Sequence, residues 1–413
     1  MPLLKTPPLA LYVHFPWCVR KCPYCDFNSH ASKGPVPERR YIDLLLRDFE
    51  REASRLGRRP IESIFLGGGT PSLFAPDAID ALLVGIRRLA PVPNDAEVTL
   101  EANPGTIERG RFAEYRAAGV TRVSLGAQSF NARHLRLLGR IHSAAETQTA
   151  VAELRAAGID NFNLDLMYGL PEQTVAESIA DLEAALALEP AHLSHYQLTL
   201  EPGTAFFHAP PPMPTEDDAW DMQQANQALL AQHGIVQYEI SAFARPGREC
   251  RHNLNYWEFG DYVGIGAGAH GKKTAVDAGR ISRSERPRGP REYMEAIETG
   301  TPAREAAVAA AELPFEFMLN ALRLRAGFSG GLYEERTGLP LDGVRDRMAL
   351  AEVRGLMQRD DRAGWRCTAL GYRFLNDLLQ FFLPEKAVPA GNSYAQEATM
   401  VPATARCDSL WPQ

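Results

Sequence analysis

The sequence predicts an α/β fold: an open, partial (β/α)6 barrel followed by a C-terminal helical, winged-helix-like domain. Three observations predict it. Six short apolar runs are each followed by an amphipathic stretch, the pattern of parallel strands joined by helical crossovers. Glycine-rich and polar motifs come directly after those runs, at the carboxyl ends of strands where such barrels gather their ligand-binding groups. The alternation stops near Gly271, after which the chain changes character.

In chain order, "ALYVHF" (10–15) precedes a helix from about Glu38 to Leu56, and "SIFLGGGTP" precedes one that starts after Pro76. "EVTLEANPG" (97–105) precedes a helix near Glu108–Ala118, and "RVSLGAQSF" (122–130) precedes helical segments up to Ala157. "NFNLDLMYGLP" (161–171) is followed by Thr174–Leu188, and "HLSHYQLTL" (192–200) by Glu216–Gln232. A seventh strand, "VQYEISAFA" (236–244), and a Gly-rich one, "DYVGIGAGAHG" (261–271), complete a first domain over residues 1–271. Residues 272–383 form the second domain. It opens on a basic stretch with Arg280, Arg283, Arg286, Arg288 and Arg291, read as a solvated loop, with anion pairing as the alternative. Helices near 291–299 and 312–325 and a winged unit from Leu332 to Leu383 follow. The Pro- and Ala-rich tail, 384–413, has no periodicity and is expected to be disordered.

The chain has 413 residues, 45% hydrophobic and 23% charged, an ordinary soluble composition long enough for two domains. A net charge of -7 argues against non-specific nucleic-acid binding, which needs a basic surface. The apolar runs are far short of the roughly 20 residues that span a bilayer. "MPLLKTPPLALYVHF" does not have the form of a signal peptide, so a cytoplasmic protein is expected, with peripheral membrane association left open.

Cys18, Cys22 and Cys25 stand at C-x-x-x-C-x-x-C spacing, while Cys250, Cys367 and Cys407 are scattered. In a reducing compartment a tight cluster points to metal rather than to disulfides. Zinc would need a fourth ligand, which His14 or His30 can supply, but the usual second C-x-x-C pair is missing. Three thiolates also suit a cubane iron–sulfur cluster with one iron left open for a small molecule. At the other strand ends stand Gly68, Gly69 and Thr70 of "GGGTPS", then Glu101, Gln128, Arg140 and Asp165. Two acids, an amide and a guanidinium converging on one pocket suit a zwitterionic ligand with ribose hydroxyls.

The cysteine spacing after a first strand, GGGTP after the second and the six-unit alternation together resemble the radical S-adenosylmethionine (SAM) superfamily. The resemblance implies a [4Fe–4S] cluster on Cys18, Cys22 and Cys25, with SAM on the open iron. Within the superfamily, "LYVHFPWCVRKCPYCDFNSH", "LGGGTPS", "EANPG", "SLGAQSF", "GRIHS" and "DLMYGLP" resemble the oxygen-independent coproporphyrinogen III oxidase group from about Ala10 to Leu383. This implies Tyr12 beside the cluster and Tyr24 near the adenine. It also implies SAM contacts from Gly68, Gly69, Thr70, Glu101, Gln128, Arg140 and Asp165, divided between one or two SAM sites.

The oxidase carries a further cysteine two residues after the third; Phe27 stands there in this chain, and it has no thiol chemistry. "CRHNLNYWEFGDYVGIGAGAH" (250–270) contains H-N-x-x-Y-W and resembles the haem chaperone (HemW-type) branch, whose members bind haem and pass it to acceptor haemoproteins. His252 is then the expected axial ligand, with Cys250 as the alternative and Tyr256 and Trp257 as flat apolar faces. Without the resemblance, the same residues describe a core histidine packed beside two aromatics. The expected function is haem chaperone. Its rivals are a coproporphyrinogen oxidase, a haem-modifying radical SAM enzyme and a zinc-stapled binding module.

Overall fold

The structure is a computed structural model and describes residues 3–105, 110–301, 303–360 and 364–384. Its centre is a 12-stranded sheet. Six strands are those the apolar runs predict: β1 (Leu9–Phe15), β2 (Ile61–Gly68), β3 (Glu97–Ala102), β4 (Arg122–Gln128), β5 (Phe162–Tyr168) and β6 (His192–Gln197). They pair in parallel, in sequence order. The connecting helices are α1 (Glu38–Leu56), α2 (Pro76–Leu89), α3 (Phe112–Ala118), α4 (Ala144–Ala156) and α5 (Val175–Leu186), and α6 (Glu216–Gln232) follows β6. Capping boxes set the starts of three of them, at Ser143, Thr174 and Thr215, each satisfying two otherwise orphaned groups.

Side chains alternate along each strand. Leu11, Val13, Ile64, Leu66, Val98 and Leu100 face the helices and join Tyr41, Leu45, Phe49, Ile79 and Leu83 in one core. The intervening positions, such as Tyr12, Ser63, Thr99, Ser124 and Asn163, are buried on the opposite face and fill the barrel with polar groups. That asymmetry is what makes the inside of the barrel a place for ligands rather than a second apolar core.

The segment expected as one seventh strand is instead a short antiparallel pair, β7 (Val236–Gln237) and β8 (Ala242–Ala244), beside β6. Its turn is held locally: the Gln237 amide donates to the Ile240 carbonyl at 2.7 Å, and the Ser241 N–H to the Glu239 carboxylate at 3.1 Å. On the other side β9 (Asp261–Ile265) pairs in parallel with β1, and β10 (His270–Ala275), β11 (Arg280–Glu285) and β12 (Arg304–Ala307) extend the sheet antiparallel. The sheet stays open, with β12 and β7 as its edges. The basic stretch is therefore a strand and the segment after it, solvated at Arg280 and Arg291 but not at Arg283 and Arg286. Arg286 is buried between Asp48 and Glu52, at 3.0 and 2.9 Å, and Arg283 donates to the Tyr262 hydroxyl and pairs with Glu316.

The helix α7 (Arg251–Trp257) closes the amino-terminal end of the barrel. Beyond β12, helices Leu313–Ala321, Gly330–Thr337 and Asp342–Val353 precede a hairpin of Met357–Asp360 and Gly364–Cys367. Their core of Phe317, Met318, Tyr333, Val344 and Met348 also takes in Leu4, Phe259 and Ile281. The expected tail falls, but for its first residue, outside the described residues. Among those described, no helix is long and apolar enough to cross a membrane.

Candidate functional site

The cysteine loop leaves β1 and is fixed at both ends. Trp17–Cys18 pairs in parallel with His30–Ala31, and the Lys21 ammonium donates to the Phe27 and Ser29 carbonyls at 3.1 Å each. The Asn28 amide reaches the carbonyls of Ala267 and Arg288, both at 2.9 Å, tying the loop to the turn after β9 and to the segment after β11. Polar groups approach each thiol: Thr70 donates to Cys18 Sγ at 3.5 Å, Arg140 to Cys22 Sγ at 3.7 Å, and Ser29 Oγ lies 3.5 Å from Cys25 Sγ. Burial raises the thiol pKa of Cys18 and Cys25, and the Thr70 and Ser29 hydroxyls pull the other way.

The GGGTP turn lies against this loop, with the Gly69 N–H on the Phe15 carbonyl at 2.7 Å and the Thr70 N–H on the Trp17 carbonyl at 2.8 Å. Glycine is required at two positions. Gly68 has φ +112°, where a Cβ would lie 2.5 Å from the His14 ring, and at Gly69 a Cβ would lie 2.5 Å from the Trp17 carbonyl oxygen. The Gly68 N–H donates to Glu101 at 3.0 Å. Arg140 is held by the Gly126 carbonyl at 2.8 Å and by Asn103, whose amide donates to Thr70 at 3.0 Å. Gln128 sits at a bulge in β4 with φ 66°, a strained position for a residue with a Cβ, and accepts from the Tyr196 hydroxyl at 2.9 Å. Asp165 accepts from Asn163 at 2.6 Å.

These groups line a cavity of about 290 Å³ at the carboxyl ends of the strands. It brings together eleven of the thirteen residues expected at the site: the three cysteines with Tyr24, the turn residues Gly68, Gly69 and Thr70, and Glu101, Gln128, Arg140 and Asp165. Burial and the nearby Asp165 carboxylate push Glu101 up to about 8, and burial raises Asp165 as well. Two buried acids face one space, and burial outweighs the pull of Arg122 on both and of Arg140 on Asp165, which favours a ligand that brings positive charge and hydroxyl donors.

Two expected residues stand elsewhere. Tyr12 is buried beneath the cavity, its hydroxyl 3.0 Å from His14 Nδ1 and its ring stacked on Phe65. His252 lies on α7 at the far end of the barrel, enclosed by Ser63 Oγ on Nδ1 and the Tyr256 hydroxyl on Nε2, each at 3.0 Å. Burial lowers its pKa to about 3, so the ring is neutral, and both nitrogens are already bonded. Cys250 is likewise buried and donates to Glu97 at 3.5 Å.

The donor set fits an iron–sulfur cubane. Among the described residues no three His, Cys, Asp or Glu side chains meet where a single metal ion would sit. The three sulfurs instead surround one space, and a cubane asks one thiolate of each of three irons.

The model of the radical SAM superfamily matches residues 12–185, and that of the HemN C-terminal domain matches residues 308–374. The chain is 46% identical to the protein named Heme chaperone HemW of Escherichia coli (strain K12), over 93% of this chain and 100% of that one. The chain belongs to the HemW family of the radical SAM superfamily. A second HemW, from Haemophilus influenzae, is 45% identical over 92% of this chain and all of its own length. The HemW of Bacillus subtilis is 34% identical over 91% and 99%. In fold, the coproporphyrinogen III oxidase HemN of Escherichia coli superposes with a TM-score of 0.77, covering 91% of this chain and 90% of that chain at 23% identity.

Several lining residues were not singled out from sequence. Asn103 lies inside the "EANPG" motif and Ser124 inside "SLGAQSF", so a signal was present. Tyr196, Ser194 and Arg20 carried none beyond their place at a strand end or in the cysteine loop.

Proposed function

We propose that this chain is a cytoplasmic haem chaperone, which binds haem and delivers it to acceptor haemoproteins, and which carries a [4Fe–4S] cluster with SAM. The observation that carries this is the 46% identity to a haem chaperone across that relative's whole length. Phe27, in the position where the resemblance to the oxidase would require a thiol, supports it over porphyrinogen decarboxylation. Cys18, Cys22 and Cys25 hold the cluster, which when bound supplies an iron with an open coordination position.

The protein's own residues do the rest. Arg140 and Thr70 direct hydrogen bonds at thiol sulfurs and offset thiolate charge. Glu101 and Asp165 would accept hydrogen bonds from the amino group and ribose hydroxyls of SAM, and the positive charge of that ligand would favour the ionised form of Glu101, whose proton would pass to solvent. Gln128 and Tyr196 form one wall, their mutual hydrogen bond fixing the amide.

The test is haem titration of anaerobically purified protein, followed by transfer to an apo-haemoprotein. A Soret band and transfer are expected, with no decarboxylation of coproporphyrinogen III. Decarboxylase turnover without haem uptake would make the protein an oxidase.

A further inference from the structure

The hydrogen-bond donors on two of the cysteine sulfurs do not act separately. Thr70 Oγ1 donates to Cys18 Sγ at 3.5 Å and Arg140 to Cys22 Sγ at 3.7 Å, and one side chain, Asn103, bonds both donors. Asn103 stands one residue beyond the end of β3 and lines the cavity beside them. The polarity of this group follows from donor and acceptor chemistry alone. A guanidinium can only donate, so the atom that Asn103 turns to Arg140 is its carbonyl oxygen. Its NH2 group is then turned to Thr70 Oγ1, at 3.0 Å, and the threonine oxygen must accept. A hydroxyl has one hydrogen, and with the amide N–H on its oxygen that hydrogen is left for Cys18 Sγ. Thr70 is 3% exposed, so water is a poor competitor for it. The all-donor character of Arg140 thus reaches Cys18 through Asn103.

We propose that Asn103 is a positioning residue, which sets the Thr70 hydroxyl and the Arg140 guanidinium on two of the three cluster sulfurs and so raises the reduction potential of the bound cluster. The inference rests on the [4Fe–4S] reading of the three cysteines. Donors on the sulfur ligands stabilise the more negative, reduced cluster, and such hydrogen bonds are among the protein's main levers on potential. Arg140 has a second anchor, the Gly126 carbonyl at 2.8 Å, so the threonine arm depends most on Asn103. Aspartate in place of Asn103 would still accept from Arg140, but it has no N–H to give. The Thr70 hydrogen would then turn from Cys18 to the carboxylate.

The experiment is a dithionite titration of the full-length, anaerobically reconstituted protein without SAM, following cluster absorbance and EPR against redox mediators, with iron counted in each variant. Asn103→Asp and Thr70→Val are each expected to lower the midpoint by about tenfold in the reduction equilibrium, the scale of one hydrogen bond to a charged group. For a one-electron couple that is about 59 mV. Thr70→Ser, which keeps the hydroxyl, should hold the wild-type midpoint. Ser194→Ala should hold it too, because Ser194 lines the same cavity but bonds Asn163. Added carboxylate charge lowers the potential by itself, so the double variant decides. If Asn103 acts through the hydroxyl, Asn103→Asp shifts the midpoint less in Thr70→Val protein than in the wild type. Asn103→Ala, which adds no charge, takes the aspartate's place in the same cycle if that variant does not fold. Wild-type protein that holds no cluster removes the cluster reading itself. An intact cluster with strictly additive shifts, or with a midpoint that neither substitution moves, leaves that reading standing and overturns the role of Asn103.

Discussion

At Glu101 two effects act in the same direction: burial and the Asp165 carboxylate lift its pKa from an ordinary 4.5 to about 8. In the ligand-free protein the folded state therefore holds a proton that the unfolded chain has lost between those values. Stability falls as pH rises through that window and levels off above it. Glu101→Gln removes the titration. Thermal melts of cluster-free, SAM-free protein should show the variant gaining on the wild type from pH 5 to pH 8, by a few degrees. A constant gap would mean that Glu101 is not displaced. Glu101→Ala should weaken SAM binding in equilibrium dialysis with iron content unchanged, whereas Cys18→Ala, Cys22→Ala or Cys25→Ala should each empty the iron. Glu101 was legible because an acid at a strand end has few structural uses. Asn103 was not singled out, because its part, bridging Thr70 and Arg140, depends on residues 33 and 37 positions away.

At the scale of elements, the helix α7 shows why a motif can be visible and its geometry hidden. The pattern H-N-x-x-Y-W stands out in the sequence, but its partners lie on β2 and β3. Glu97, at the start of β3, accepts the N–H groups of Arg251 and His252 at 3.3 and 3.1 Å, so a carboxylate caps the first turn of the helix. Ser63, 189 residues away, closes the histidine ring from the other side. None of that pairing has a local signature. Glu97 also faces the buried Arg122. Glu97→Ala should therefore cost about 3–5 kcal/mol, the scale of leaving a buried charge uncompensated, in denaturant melts. His252→Ala should cost about 1–3 kcal/mol, because it strands the Ser63 and Tyr256 hydroxyls. Unchanged stability in both variants would mean that α7 does not plug the barrel.

At the scale of the molecule, the six parallel strands were legible because each apolar run ends in a polar or glycine motif and is followed by a helix of ordinary length. The antiparallel edge was not, because β10, β11 and the residue after β11 carry the charges of Lys272, Lys273, Arg283 and Arg286, which read as solvent-facing. Lys272 is in fact buried, its ammonium 3.0 Å from the Phe259 carbonyl and 4.1 Å from the centre of that ring. The same edge joins the two parts of the chain. Phe259 and Ile281 are 1% and 2% exposed only because the C-terminal helices cover them, with Phe317 edge-on to Phe259 at 5.8 Å between ring centroids. Arg323 adds a polar tie, pairing with Glu239 at 2.9 Å while its guanidinium lies over the Trp257 ring. A chain cut after Ala307 would expose this apolar seam along with the underside of α7. It should bind a hydrophobic dye and melt well below the full-length protein, and the intact chain should unfold in one calorimetric transition. Two separate transitions, or a truncated protein as stable as the whole, would show that the seam does not couple the parts.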